Sequence, residues 1–180
     1  ACMGVLLAAL SFRFRLVQEL LSPFILTVKA IPVASFIILA LIWIPSKNLS
    51  VFISFLMVFP VIYTNVLNGI FSTSQDLLEM AKVFDLPSGR TIRYIYVSQV
   101  LPFFQSACTI GLGLCWKSGI AAEVIGIPDG SIGESLYNAK IFLNTPDLFA
   151  WTLVIVIVSL AFEKFFLKLL NMGVKRLERM

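Results

Sequence analysis

Glu123 stands in the run GIAAEVIG, an acidic residue in apolar sequence with Trp116 and Lys117 shortly before it. A carboxylate buried in apolar surroundings is costly unless it meets polar groups, water or a cation, so it should face a helix-bundle interior or an aqueous cavity. Trp116 precedes Glu123 by seven residues and shares its helical face. Lys117 precedes it by six and lies about 120° away around an ideal helix. A break at Gly119 would bring Lys117 closer. Two readings stand side by side: Trp116, Lys117 and Glu123 line or gate a path through the bundle, or Glu123 caps a helix end and ties the bundle together.

The second concentration of chemistry is the stretch 72–102, which carries Asp76, Glu79, Lys82, Asp85, Arg90 and Arg93 in an otherwise apolar chain. Such a segment must lie in water or against another protein. Thr73 or Ser74 can cap a helix start, with Asp76 early, where the helix dipole favours an acid. Over 75–84, Leu77, Met80, Ala81 and Phe84 recur at three- and four-residue steps and predict an apolar ridge on one helix face. Pro87 disfavours helical geometry at Leu86 and is expected to end that helix, with Ser88 and Gly89 continuing the turn. A second amphipathic stretch, 91–97, leads back into apolar sequence. This helix–turn–helix either offers its ridge to a partner or packs on its own bundle.

Other chemistries find no residues. The chain has no histidine, which removes His-based metal sites, haem ligation and Ser–His dyads. Cys2, Cys108 and Cys115 form no C-x-x-C pair and read as small packing residues. There is no G-x-x-x-x-G-K-[ST], H-E-x-x-H or G-x-S-x-G, and no catalytic carboxylate pair, so catalysis by this chain and a metal site are not expected. ATP, if it drives the system, belongs to another subunit.

The elements that position these residues are membrane helices. Hydrophobic residues make up 59% of the 180, charged residues only 13%, and mean hydropathy is +0.95. A soluble domain of this size would need far more polar surface, so one all-α integral membrane domain over 1–180 is expected. The opening run ACMGVLLAAL reads as the second half of a spanning helix. Four further spans are predicted near 31–44, 49–71, 101–120 and 148–167. Pro60 should kink the second, and Pro102 should open the third, where a missing N–H costs little. The turn around Gly130 and Gly133 reads as re-entrant-loop geometry.

Basic residues set the orientation. Arg13, Arg15, Lys29, Lys82, Arg90, Arg93, Lys164, Lys168, Lys175, Arg176 and Arg179 fall in one set of loops, and only Lys47, Lys117 and Lys140 in the other. The first set, with 72–102 and the C-terminus, is therefore expected in the cytoplasm. The net charge of +4 reports this loop topology and carries no message about nucleic acid. The C-terminal KFFLKLLNMGVKRLERM should lie at the membrane interface with its basic side toward anionic headgroups.

Several stretches resemble a known family. Glu79-Met80-Ala81, then Asp85 and Ile95, resemble the cytoplasmic loop of ABC-importer permeases, Glu-Ala-Ala, three residues, Gly, nine residues, Ile-x-Leu-Pro. Glu79, Ala81 and Ile95 match in register, whereas Met80 replaces Ala, Asp85 replaces Gly, Val97 replaces Leu and Ser98 replaces Pro. Asp tolerates the left-handed backbone that Gly supplies better than most residues do. VKAIPVASFIILALIW resembles the R-x-I-P-x-x-A…P-L-x-I-W span of the nitrate/sulfonate/taurine subfamily through Ile31, Pro32, Ile42 and Trp43, departing at Ser35 and Leu39. WKSGIAAEVIG, IGESLYNAK and TPDLFAWTLVIV resemble its last outward loop and final helix.

The resemblance implies a type I importer permease core of about five transmembrane helices in a bacterial inner membrane. It implies that Leu77, Glu79, Met80, Ala81, Phe84 and Asp85 form a coupling helix docking on an ATPase subunit that holds Mg-ATP. A second permease copy, an extracytoplasmic substrate-binding protein and membrane lipid would be its other partners. The solute implied is a small anion such as nitrate, a sulfonate or bicarbonate, or a heterocyclic vitamin precursor. The competing reading is a membrane scaffold with no transport path. The orientation has its own test. A cysteine at Ser88 should react with impermeant thiol reagents from the cytoplasmic side only, and one at Ser131 from outside only; reversed labelling overturns the topology.

Overall fold

The structure, a computed structural model, describes residues 1–178 and is all-helical among them. In chain order the helices are α1 (Cys2–Arg13), α2 (Arg15–Ala30), α3 (Val33–Ala40), α4 (Ser46–Phe71), α5 (Gln75–Val83), α6 (Ser88–Thr91), α7 (Val97–Gly126), α8 (Ile132–Ile141) and α9 (Thr145–Glu178). A π-helical segment, Ile92–Tyr96, joins α6 to α7, so Ser88–Gly126 forms one 39-residue span. This span and α4 are each long and apolar enough to cross a membrane. The span expected at 148–167 falls inside α9, and Arg179 of the expected interfacial C-terminus lies outside the described residues.

The central pair is α4 and α7, which approach closely because small residues meet along the seam. Added methyls at Gly111 and Gly119 would press on Val58 and on the hydroxyls of Ser54 and Ser50. The Ser54 hydroxyl donates to the Cys115 carbonyl across the seam at 3.1 Å. At the Phe71 end, Ala8 and Ile25 pack with Phe59, Ile62, Tyr63, Val66, Leu67 and Ala107. At the other end, Ile37 and Ala40 of α3 pack with Leu49, Ile53 and Ala122. Tyr63 donates to the Ser11 hydroxyl at 2.9 Å, which satisfies a polar pair inside the first cluster. Phe12 packs its ring against Phe71 and Tyr96, tying α1 to that same end.

Four sequence expectations need correction. The span expected at 31–44 holds only the eight-residue helix α3, too short to cross a membrane by itself. Ile31 is held extended by the proline after it, and α2 and α3 meet at 104° around Ile31 and Pro32. Lys29, expected in a cytoplasmic loop, lies in the last turn of α2 with its ammonium donating to Thr64 of α4 at 3.3 Å. Pro102 does not open a span; the helix already runs from Ser88, and Pro102 is inside it. The helix does not break at Gly119 either, because that glycine serves close packing against α4. α4 itself runs on through Pro60, and the Thr64 hydroxyl donates to the Pro60 carbonyl at 2.7 Å.

The α5 stop is built differently from expectation. Asp85 takes the left-handed conformation at φ 48°, its N–H reaches the Lys82 carbonyl, and the Leu86 N–H reaches the Ala81 carbonyl at 2.9 Å. These bonds form a Schellman motif, which ends the helix ahead of Pro87. Asp85→Val should cost about 1–2 kcal/mol through the crowded left-handed backbone and speed amide exchange at Leu86, while Asp85→Gly should keep that amide protected. Equal protection in the valine variant would count against this stop.

Candidate functional site

Two surfaces carry the polar chemistry, one at each end of the α4–α7 pair. At the end opposite Phe71, the chain leaves α7 through Ile127, left-handed at φ 45°, and turns into α8. Ser131 caps α8 by accepting the Glu134 N–H at 3.0 Å, and Glu134 returns a carboxylate to the Gly130 N–H at 2.6 Å. This reciprocal arrangement satisfies donors that a helix start leaves free. It also aims the next free donor, the Gly133 N–H, at Oε2 of Glu123, 3.3 Å away. The other carboxylate oxygen accepts from Ser50 of α4 at 3.4 Å.

Glu123 therefore bridges α4, α7 and the positive end of the α8 dipole, a favourable place for an anion. Only glycine fits at 133, because a methyl there would collide with Glu123. Glu123 and Trp116 line one cavity of about 530 Å³ between α1, α4, α7 and α9, whose walls include Ser50, Ser54, Cys115 and Phe162. Trp116 stands edge-on to the Phe162 ring at 5.8 Å, which fixes the indole against α9. Lys117 is not part of this group. It is exposed and does not line the cavity, and no helix break brings it round. Ser50 and Gly133 were missed from sequence. A serine in apolar sequence and a glycine two residues after a capping Ser are the signals that were available.

At the Phe71 end, α5 projects beyond the bundle. The predicted ridge is divided: Ala81 is buried and Leu77 is half-buried, while Met80 and Phe84 face outward. Val83, which the periodicity did not single out, completes the outward face with Met80 and Phe84, at 81% and 72% exposure for Val83 and Phe84. Glu79 and Asp85 are exposed beside it. The expected cap also shifts. Ser74 occupies the N-cap position without a side-chain cap bond, and the buried Thr73 hydroxyl donates back to the Gly69 carbonyl of α4 at 3.3 Å. Thr73 thus closes the end of α4 and sets where α5 leaves it.

The Glu123 bridge predicts a stability pattern. Glu123→Gln must turn one amide N–H toward one of two donors, losing a hydrogen bond worth about 1 kcal/mol. Gly133→Ala should lower the thermal midpoint of the detergent-purified protein further, since α8 must move off α7. Unchanged midpoints in both variants would remove the bridge from the account.

Comparison with known proteins bears on what this arrangement serves. Residues 1–176 match the family of inner membrane components of binding-protein-dependent transport systems. A probable ABC transporter permease of Brucella melitensis is 26% identical over 152 residues, covering 84% of this chain and 61% of the relative. The taurine transport system permease of Escherichia coli is 26% identical over 164 residues, covering 91% of this chain and 56% of the relative. The nitrate import permease of Synechococcus elongatus is 26% identical over 140 residues, covering 77% of this chain and 50% of the relative. The chain thus spans 50–61% of the length of these relatives. With residues 1–176 matched on an all-helical bundle with two full-length spans, the chain belongs to the family of binding-protein-dependent transport system inner membrane components.

Proposed function

We propose that this chain is the permease subunit of an ATP-driven ABC importer, providing part of the solute path and receiving the power stroke through α5. The observation that carries the reading is the outward face of Met80, Val83 and Phe84 at the end of the longest spans, in a chain matched by the family over residues 1–176. An apolar face flanked by Glu79 and Asp85 has the character of a docking helix: apolar area for affinity, charge for register. Its partner in this reading is an ATPase subunit, which binds Mg-ATP. A second permease copy and an extracytoplasmic binding protein complete the assembly. The relatives named for taurine and nitrate favour a small sulfonate or inorganic oxyanion as solute over a heterocyclic vitamin precursor.

Within that reading, Glu123 and Trp116 sit at the outward end of the path. The Glu123 bonds to Ser50 and Gly133 can be exchanged as α4, α7 and α8 move relative to one another. Two-sided access needs a contact of this kind, one that is satisfied in one state and remade in another. Lys117 is exposed and does not line the cavity, so this reading gives it no part in the gate. A scaffold without a path is the weaker reading, because it leaves the polar-ended cavity beside Trp116 and Glu123 without a purpose.

The docking role is tested by co-purification. Burying Phe84 in a partner groove contributes about 1.5–3 kcal/mol, so Phe84→Asp should release the ATPase or uncouple hydrolysis from uptake. Val83→Asp should act in the same direction, and Lys82→Gln much less. Retention of the ATPase with normal uptake in both aspartate variants would sink the docking face.

A further inference from the structure

We infer that the groove between the end of α8 and the start of α9 is a site for the primary ammonium of a phospholipid headgroup, as in phosphatidylethanolamine. A cavity of about 260 Å³ opens there, walled by Ser135, Asn138 and Phe142 at the end of α8 and by Asp147 and Trp151 of α9. It shares no wall residue with the cavity at Trp116 and Glu123. Asn144 caps α9: its carboxamide donates to Oδ2 of Asp147 at 2.6 Å, and its oxygen accepts the Asp147 N–H at 3.4 Å. That neutral donor engages one carboxylate oxygen, and no cation pairs with Asp147 among the described residues. The Ser135 hydroxyl donates to the Ser131 carbonyl at 3.3 Å, so its oxygen can still accept.

The groove thus offers a carboxylate, a hydroxyl oxygen and the carboxamide oxygen of Asn138, which suit the three N–H donors of a primary ammonium. The rings of Phe142 and Trp151 complete the wall, and aromatic rings beside a carboxylate favour a cation. The two helix dipoles oppose one another here. The end of α8 favours a cation, and the start of α9, which disfavours one, already carries Asp147 in its first turn. Depth identifies what bears the ammonium. Asp147 directly precedes the uncharged run 148–162 of α9, so it stands at the edge of an apolar span. Phe149, beyond it on α9, is 70% exposed, and Phe142 and Leu143 at the groove are 79% and 87% exposed. Leu143 holds a left-handed backbone at φ 51°, where glycine is usual, in a turn closed by the Asn144 N–H on the Ala139 carbonyl at 2.9 Å. An ammonium site ringed by outward apolar side chains, at the edge of such a run, fits a headgroup whose acyl chains lie along α9.

Trp151 itself is the reporter. With Trp43 and Trp116 changed to phenylalanine, the full chain is reconstituted in phosphatidylcholine vesicles. Its fluorescence is titrated with phosphatidylethanolamine, phosphatidylcholine or phosphatidylglycerol brominated near the glycerol end of the acyl chains. The ethanolamine lipid should quench at about tenfold lower mole fraction than the choline lipid, the discrimination of one charge-assisted hydrogen bond. Asp147→Asn, an isostere that keeps an acceptor for Asn144, should abolish the preference, and Asn138→Leu should weaken it. Equal quenching by the two lipids, or a preference unmoved by Asp147→Asn, overturns the site. Strongest quenching by phosphatidylglycerol also overturns it, since an anion would then be the ligand. A preference abolished by millimolar taurine assigns the groove to a dissolved ammonium and overturns the lipid. Should Asp147→Asn fail to fold, Asn138→Leu and Ser135→Ala, which lie outside the α9 cap, carry the test, and a preference unchanged in both overturns the site.

Discussion

The seam where Ser50, Ser54 and Val58 of α4 meet Gly119, Cys115 and Gly111 of α7 is the constraint on which the other elements depend. In a bilayer the hydrophobic effect does little to hold helices together, because lipid tails are as apolar as leucine, so close backbone approach and interhelical hydrogen bonds must do it. Glycines and serines supply both. Larger residues at 111 and 119 would push the helices apart, and the Ser54–Cys115 bond and the Ser50–Glu123 bond would be lost with the spacing. The two apolar clusters then form at either end of this seam, one receiving α1 and α2, the other α3.

From that pair the polar ends follow. Glu123 reaches Ser50 only because the seam is tight and reaches Gly133 only because residue 133 has no side chain. At the far end Thr73 bonds back to Gly69, so α5 leaves the bundle at a set angle with Ala81 inward and Met80, Val83 and Phe84 outward. Each end thus combines a satisfied hydrogen-bonded anchor with a surface free to meet something else. The anchors are local, within a turn or across one helix contact, so either end can shift without dismantling the seam.

Much of this was legible in sequence where the cause was local. The span at 49–71 appears as Ser46–Phe71 and the helix at 75–84 as Gln75–Val83, because apolar length and three-to-four spacing report a single helix well. The left-handed tolerance argued for Asp85 is realised at φ 48°. What failed involved the third dimension. Hydropathy merges α3 with its flanks and cannot register a 104° bend, although Pro32 was its visible mark. Pro102 looked like a helix start because the amphipathic stretch before it was read as a separate element, whereas a π-helical segment carries the helix through. Ser50 and Gly133 lie 73 and 10 residues from Glu123, and no spacing rule joins them.

The placement of charge follows the same logic of depth. Arg15 pairs with Glu19 in the open, one turn away on α2, where such a pair is worth little and fixes nothing. Lys29, further along the same helix, is exposed too, and among the described residues its ammonium donates to the Thr64 hydroxyl. Glu123 is placed differently: it is half-buried, and two donors and a helix dipole meet its carboxylate within the chain itself. The half-buried carboxylate is completed internally, whereas the exposed ammonium has one neutral partner among the described residues. A carboxylate completed in this way ties three helices together, which a pair out in the open cannot do.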